Sequence, residues 1–416
     1  MNKINKDWKE VKLGDIVDIT MGQSPKSQFY NKINKGMPFL QGSSTFGHLY
    51  PSFEIYSSDI KKIAVNGSIL MSVRAPVGDL NMANTDICIG RGLCSINGKN
   101  KSLNRYIFYL LNYYKSKIVN IQTGTVFGAI SKDNILNFKV SIPQSEKEQK
   151  YIASILSSFD DKIELNNKTN KILEEMAQII FKEWFINFNF PNEDGKPYKK
   201  SGGEMIGSEL GKIPKGWKIG TIGDYAKLKS GFAFKNSWWQ NDGIPVIKIQ
   251  NISSGNLNLE QCSFVSEDKY NIAENFRVNG GDLLITLTGS LGKFTIVPKL
   301  DKDALVNQRV GKFFLGEEPV KKLPFLYGIL NELKDLIVSL ANGSVQQNIS
   351  PNDVENVKII FPNDKILNKY NNLMQDIFYK IIFNQRENKK LSNIRDSLLP
   401  KLMTPNGRRA DGEIRI

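Results

Sequence analysis

The sequence predicts an α+β chain: two homologous mixed α/β domains separated by two long antiparallel coiled-coil helices, as a pseudo-twofold internal repeat. Three observations predict it. The chain is written twice, each copy alternates short apolar runs with Gly, Pro and Asn turns, and each copy ends in a long helical seam. The run from Trp8 through Leu13-Gly14-Asp15 recurs from Trp217 through Ile222-Gly223-Asp224, 209 residues later. Gly67 to Gly78 answers to Gly281 to Gly292 at offset 214, and Arg91 pairs with Arg309 at offset 218. Thr123-Gly124-Thr125-Val126 matches Asn342-Gly343-Ser344-Val345 at offset 219, which also carries Ile142-Pro143 onto Phe361-Pro362. Offsets that drift slowly upward in one order mean two related units with small loop insertions.

Within each copy, residues 69–73 and 283–287 read as strands, and residues 105–118 and 324–340 as one helix per unit. After the Ile-Pro or Phe-Pro step a long helix begins, with Ser145-Glu146-Lys147-Glu148 as an opening turn of the first. Its seam is Ile152, Leu156, Phe159, Ile163, Asn166, Asn170, Leu173, Ala177, Ile180 and Trp184. The second seam is Tyr370, Met374, Ile377, Ile381, Asn384, Asn388, Leu391, Arg395, Leu398 and Leu402. Such 3-4 spacing suits a coiled coil, and roughly 40 helical residues would span about 60 Å. The asparagines Asn166, Asn170, Asn384 and Asn388 fall at seam positions. A buried Asn costs stability but fixes register, because a slipped alignment leaves its amide unpaired. The expected organisation is a first domain at 1–143, a central long helix at 144–188 and a linker at 189–216. A second domain at 217–362, a C-terminal long helix at 363–403 and a tail at 404–416 follow.

Composition narrows the function classes. With 40% hydrophobic and 24% charged residues over 416, the chain has material for more than one packed domain, which excludes wholesale disorder. No apolar run has the length of a membrane span, and the first eight residues carry no apolar signal core, so a soluble, cytoplasmic protein is expected. One histidine, His48, excludes a multi-histidine metal site and reads as a loop residue. Cys88, Cys94 and Cys262 match no zinc spacing and read as small core residues. Gly289 to Phe294 lacks the spacing of a nucleotide-binding loop and reads as a strand-end turn. The net charge of +14 points to nucleic acid as a partner. It is uneven: residues 1–143 carry 18 basic and 9 acidic groups, net +9, whereas 217–362 carry 16 and 15, net +1.

The chain resembles the specificity (S) subunits of type I restriction-modification systems. The residues that carry the resemblance are Trp8 to Asp15 with its copy Trp217 to Asp224, and the segment Phe181-Lys182-Glu183-Trp184-Phe185-Ile186-Asn187-Phe188. The stretch Ser208 to Trp217, the tail Leu398-Leu399-Pro400-Lys401-Leu402-Met403 and the final Gly412 to Ile416 match as well. The resemblance implies two target-recognition domains, each reading one half of a split double-stranded DNA target, with the long helices as a ruler. It implies docking of two methyltransferase (M) subunits and of restriction (R) subunits. No catalytic residues are expected in this chain, and no cofactor bound by it; S-adenosylmethionine, ATP and Mg would serve the partners. The sequence agrees by omission, since no Asn-Pro-Pro-Tyr type methylation motif and no Walker motif occurs in it. A homodimer of the isolated chain is a further expectation.

Direct readout uses Arg toward guanine, Gln and Asn toward adenine, and Ser or Thr toward several base edges, while Lys holds phosphates. The expected DNA-binding residues are therefore polar loop residues at matched places. In the first unit they are Gln41, Ser43, Ser44, Arg74, Arg91, Thr125 and Lys132. In the second they are Lys248, Gln250, Asn251, Thr288, Gln308, Arg309, Gln346 and Gln347. For each the rival reading is a turn-stabilising hydrogen bond. Trp8 and Trp217 read as core anchors, and Trp238-Trp239 as a stacking pair or a buried one. The tract from Ile179 to Phe190 is expected to expose apolar surface. Competing classes are an enzyme with a divergent active site, which would methylate or cut DNA unaided, and a non-DNA protein-interaction scaffold. From the charge split, the first domain should show the steeper salt dependence of DNA binding. Titrating each recognition domain at several salt concentrations checks this, and equal slopes overturn it.

Overall fold

The computed structural model describes residues 7–121, 128–253, 256–259, 262–341 and 347–405. The chain divides into two compact units, Met1–Leu165 with Lys389–Ile416, and Asn166–Asn388. Each unit takes a portion of both long helices, Glu146–Phe181 and Asp364–Leu402.

In the first unit, Trp8–Lys12 pairs antiparallel with Lys139–Pro143 and closes the domain at its ends. A four-stranded antiparallel sheet runs in the order Val17–Met21, Leu93–Gly98, Ile69–Ser72, Leu80–Met82. A second sheet of short strands contains a parallel pair, Met37–Leu40 beside Ile87–Ile89. Ile69 to Ser72 is buried on both faces, as a strand packed between two layers must be. One layer is the helix Asn104–Val119, whose Tyr106, Ile107, Leu110 and Leu111 join Ile69, Met71 and Ile96 in the main core. Ile152 and Leu156 from the first long helix complete that core, with Leu402 and Met403 from the end of the second.

The second unit repeats this plan. Lys218–Thr221 pairs with Lys358–Phe361, and the four-stranded order is Lys227–Ser230, Val310–Phe314, Leu283–Thr286, Phe294–Ile296. Ile244–Ile247 and Ala304–Val306 form the parallel pair. One difference lies in the helix expected over 324–340, which is two helices, Leu323–Glu332 and Lys334–Ser339, broken at Leu333. The 289–294 segment is the expected strand-end turn, with Gly289 at φ 74° and Gly292 at φ 67°, in the left-handed region that favours glycine.

Two expectations about residues 179–216 are corrected. The aromatic tract is not an exposed surface: Phe181, Trp184, Phe185, Phe188 and Phe190 are buried in the second unit's core, leaving only Ile179 and Ile186 of its apolar residues exposed. The helix passes into a π-helical turn at Lys182–Ile186, and Phe188 at φ 56° turns the chain back. Phe190 then stacks on Trp217 with centroids 4.9 Å apart. The expected linker is consequently folded, with Met205–Ser208 and Gly211–Pro214 forming a hairpin and Ile213 reaching the core.

Phe181 packs on Gly328, where an added Cβ would stand 2.1 Å from the Phe181 ring. Phe185, Phe325 and Tyr370 hold that ring from other sides. Alanine gains about 1 kcal/mol in helix propensity over glycine, but overpacking a fixed ring costs about 1–3 kcal/mol. Gly328→Ala is therefore expected to destabilise the second unit, and urea unfolding checks the sign. An unchanged or raised midpoint would mean the ring yields.

The long helices run antiparallel where they meet. In the second unit Asn166 Nδ2 donates to Asn388 Oδ1 at 2.8 Å, and Asn384 Nδ2 donates to Asn170 Oδ1 at 2.8 Å. Partners that climb one helix while descending the other define antiparallel pairing. Asn166 also reaches Glu387, and Asn388 Nδ2 donates to Asn167 at 2.8 Å, so the Asn166–Asn388 rung joins four side chains. In the first unit the seam departs from expectation at one place: Asp160, at 1% exposure, takes the buried position and Phe159 is half-buried beside it.

Candidate DNA-reading loops

The polar loops of the first unit are drawn together by backbone hydrogen bonds at the ends of the central strands. Gln23 N donates to Ile89 O and Gly90 N to Leu40 O, at 2.9 and 2.8 Å. Gly92 N donates to Gln41 O at 3.1 Å, Val73 N to Gly92 O at 2.9 Å, and Ile130 N to Val73 O at 3.1 Å. The loops carrying Ser24, Gln41, Arg91, Arg74 and Ala129 thus form one continuous row. Glycine is needed here for approach: a Cβ on Gly22 would lie 2.1 Å from Gly90 O, and one on Gly92 would lie 2.4 Å from Gln41 O. Ser24 Oγ donates to Gln41 Oε1 at 2.8 Å and accepts from Arg91 N at 3.1 Å, which steadies the base of both side chains. Gln41, Ser44, Arg74, Arg91 and Lys132 are exposed. Ser43 is half-buried and donates to Asp79 at 3.2 Å, a carboxylate that Lys115 also pairs.

The second unit builds the same row with other side chains. Phe232 N donates to Val306 O, Asn307 N to Ile247 O, Leu287 N to Arg309 O, and Ile349 N to Leu287 O. These bonds correct the sequence alignment. Leu93 pairs with Ser72 and Val310 with Thr286, so the offset here is 217 and Arg91 corresponds to Gln308. Arg309 corresponds to Gly92, since the carbonyl of each accepts a backbone N–H from the next strand, of Leu287 and Val73 respectively. Gln41 corresponds to Lys248, and Arg74 to Thr288, whose bridges to Ala129 and Asn348 match.

Gln250, Gln308, Arg309 and Gln347 are exposed. Lys248 is half-buried, with Nζ donating to Ser263 Oγ at 2.6 Å and lying 3.6 Å from the Trp239 ring centroid. Burial lowers its pKa from the ordinary lysine value. Two expected readers are corrected. Asn251 is 1% exposed and its side-chain oxygen accepts the Lys248 backbone N–H at 2.8 Å, so it stabilises a turn. Thr288 is 6% exposed and donates to Asn348 at 2.7 Å. Thr125 and Gln346 lie outside the described residues, as does the segment from Gly412 to Ile416. Trp238 and Trp239 are half-buried against Phe232 and Phe234. Trp8 and Trp217 are buried, and all three cysteines are free and buried.

A cluster that sequence reasoning missed lies in the first unit, where the two long helices meet the helix Asn104–Val119. Tyr109 donates to Asp160 Oδ2 at 2.5 Å, His48 Nε2 lies 2.9 Å from Asp160 Oδ1, and Arg395 Nη1 donates to the same oxygen. His48 is a loop residue, as expected, but its side chain is only 23% exposed. Burial pushes the Asp160 carboxyl up, yet His48, Arg395 and Tyr109 together hold it below the ordinary aspartate value. Among the described residues no group of His, Cys, Asp and Glu is placed to hold a metal ion, and no helix is long and apolar enough to cross a membrane.

A family model described as the type I restriction modification DNA specificity domain matches residues 5–175 and 214–393. The chain is 29% identical to the type I restriction enzyme MjaIX specificity subunit of Methanocaldococcus jannaschii, over 100% of this chain and 95% of that protein. It is 24% identical to the type I restriction enzyme HindI specificity subunit of Haemophilus influenzae, over 95% and 99%. A crystal structure of a type I restriction-modification S subunit from M. genitalium aligns with a TM-score of 0.56, over 97% of this chain and 98% of that one. Its 16% identity makes this a likeness of fold.

Proposed function

We propose that this chain, which belongs to the family of type I restriction-modification DNA specificity proteins, reads a split duplex target with one loop row per unit. The observation that carries this reading is the matched scaffold with unmatched side chains. Gln41, Arg91 and Gly92 on one unit stand where Lys248, Gln308 and Arg309 stand on the other. An identical framework with different hydrogen-bonding groups is what two different half-sites require. The exposed readers are Gln41, Ser44, Arg74, Arg91 and Lys132 in the first unit. Gln250, Gln308, Arg309 and Gln347 serve in the second, with Lys248 presented over Trp239 and Ser43 in a supporting bond.

The chain has the non-catalytic role of its family. Adenine methylation by two M subunits and restriction by R subunits complete the proposed complex, in the cytoplasm, with S-adenosylmethionine, ATP and Mg used by those partners. Ile172, Met176 and Ile179 expose apolar surface on successive turns of the first long helix and suit subunit docking. The homodimer expected of the isolated chain is not part of this reading, since the long helices find their partners within one chain. The test is long-read sequencing of DNA from cells expressing the chain with its cognate methylation subunit. A split motif carrying methylated adenine, absent without the chain, is expected; a complex that forms and yields no motif overturns the reading.

A further inference from the structure

We infer that the buried Asp160–Arg395 pair makes the first long helix choose the second long helix of its own chain over the first helix of another copy. The two Asn–Asn rungs cannot make that choice. Asn166 and Asn170 recur 218 residues later as Asn384 and Asn388, and the bonded pairs are Asn166 with Asn388 and Asn170 with Asn384. Two first helices in the same antiparallel register would set Asn166 of one copy against Asn170 of the other. Those rungs would close equally well, and two second helices would do the same. The bonds to Glu387 and Asn167 differ, since Thr169 would stand for Glu387 in two first helices and Gln385 for Asn167 in two second helices. The rungs themselves fix register without naming a partner.

The charged pair breaks this equivalence. The residue 218 positions before Arg395 is Ala177, and the residue 218 positions after Asp160 is Phe378. Both lie in the apolar core of the second unit, at 3% and 0% exposure. The surroundings differ in the same sense. Tyr109 donates to Asp160 in the first unit, whereas its counterpart is Gly328, a correspondence set by Gly78 against Val119 and Gly292 against Val338. Phe181 fills the space that Gly328 leaves. One unit thus has a polar socket where the other is apolar.

In a pairing of two first helices, each Asp160 would face Ala177 of the second copy with no guanidinium. In a pairing of two second helices, each Arg395 would face Phe378. Only a first helix against a second helix joins the two charges. A buried charge without its partner is far more costly than the pair is stabilising, so the device acts by penalising the wrong assembly.

The test uses full-length chains carrying two different affinity tags and co-expressed, with cross-copy capture and sedimentation as readouts. Wild type is expected to give background capture and a monomer. The D160F/R395A chain, which copies the second unit's residues, and a volume-matched D160L/R395M chain are each expected to raise capture more than about tenfold and to sediment as dimers. A folded double variant that stays as monomeric as wild type overturns the inference. A second measurement needs no variant: the two tagged wild-type chains are unfolded in urea, refolded together and cross-linked. Monomers, or dimers whose cross-links join a first helix to a second helix, support the inference; dimers whose cross-links join two first helices overturn it.

Discussion

In a methylating complex carrying Arg91→Ala, the methylated motif is expected to lose definition at a base pair of one half-site while the other half stays intact. Arg91 is exposed and its backbone, not its side chain, holds the loop row through Ser24, so the change leaves the fold alone. A good Arg–guanine bidentate contact contributes about 1–3 kcal/mol of discrimination, or about 5- to 150-fold in binding. Arg91→Lys should resemble alanine in discrimination but retain the salt slope, because lysine keeps the charge and loses the fork. Gln308→Ala should relax the opposite half, at a base pair that contains adenine. Sequencing of methylated DNA reads both changes. If Arg91→Ala weakens all sequences alike and lowers the salt slope by about one, Arg91 holds a phosphate and does not read a base.

That prediction depends on a register the letters of the sequence concealed. Arg91 and Arg309 align by identity, which reads as one retained residue, but strand pairing sets the copies one residue apart there. A single step exchanges which residue stands at the tip of the loop, so an attractive letter match misleads. The repeat itself was legible because its carriers are local: turn glycines, strand periodicity, and the Trp at the first strand with the Gly-Asp of the helical turn after it. The asparagine seam was legible for the same reason. Asp160 was not, since its partners His48, Tyr109 and Arg395 are 112, 51 and 235 residues away, and the adjacent Phe159 fits an apolar seam better. Likewise nothing local distinguishes Asn251 and Thr288 from Gln308. All are polar loop residues, and only burial separates turn stabilisers from groups able to meet a base.

The largest expected stability effect belongs to Arg395→Ala. Asp160 is buried with its two oxygens taken by Tyr109, His48 and Arg395, and removal of the guanidinium leaves a carboxylate in the core without its compensating charge. Breaking such a pair from one side costs about 3–5 kcal/mol. The pH dependence follows from the sign of the shift. In the intact chain the Asp160 carboxyl is held below its ordinary value, so its contribution is full above the unfolded-state pKa and is lost as pH falls through the lower folded-state pKa. Without Arg395, only His48 and Tyr109 oppose burial, and the folded-state pKa is expected to rise above the unfolded one. Protonation then relieves the folded state first, and the variant regains stability as pH falls through that raised value. The gap between the two chains should therefore be widest near neutral pH and close toward acid. Urea unfolding of both chains at several pH values measures it. A gap that stays constant would mean that Arg395 acts through packing of its stem, with the ion pair contributing nothing net.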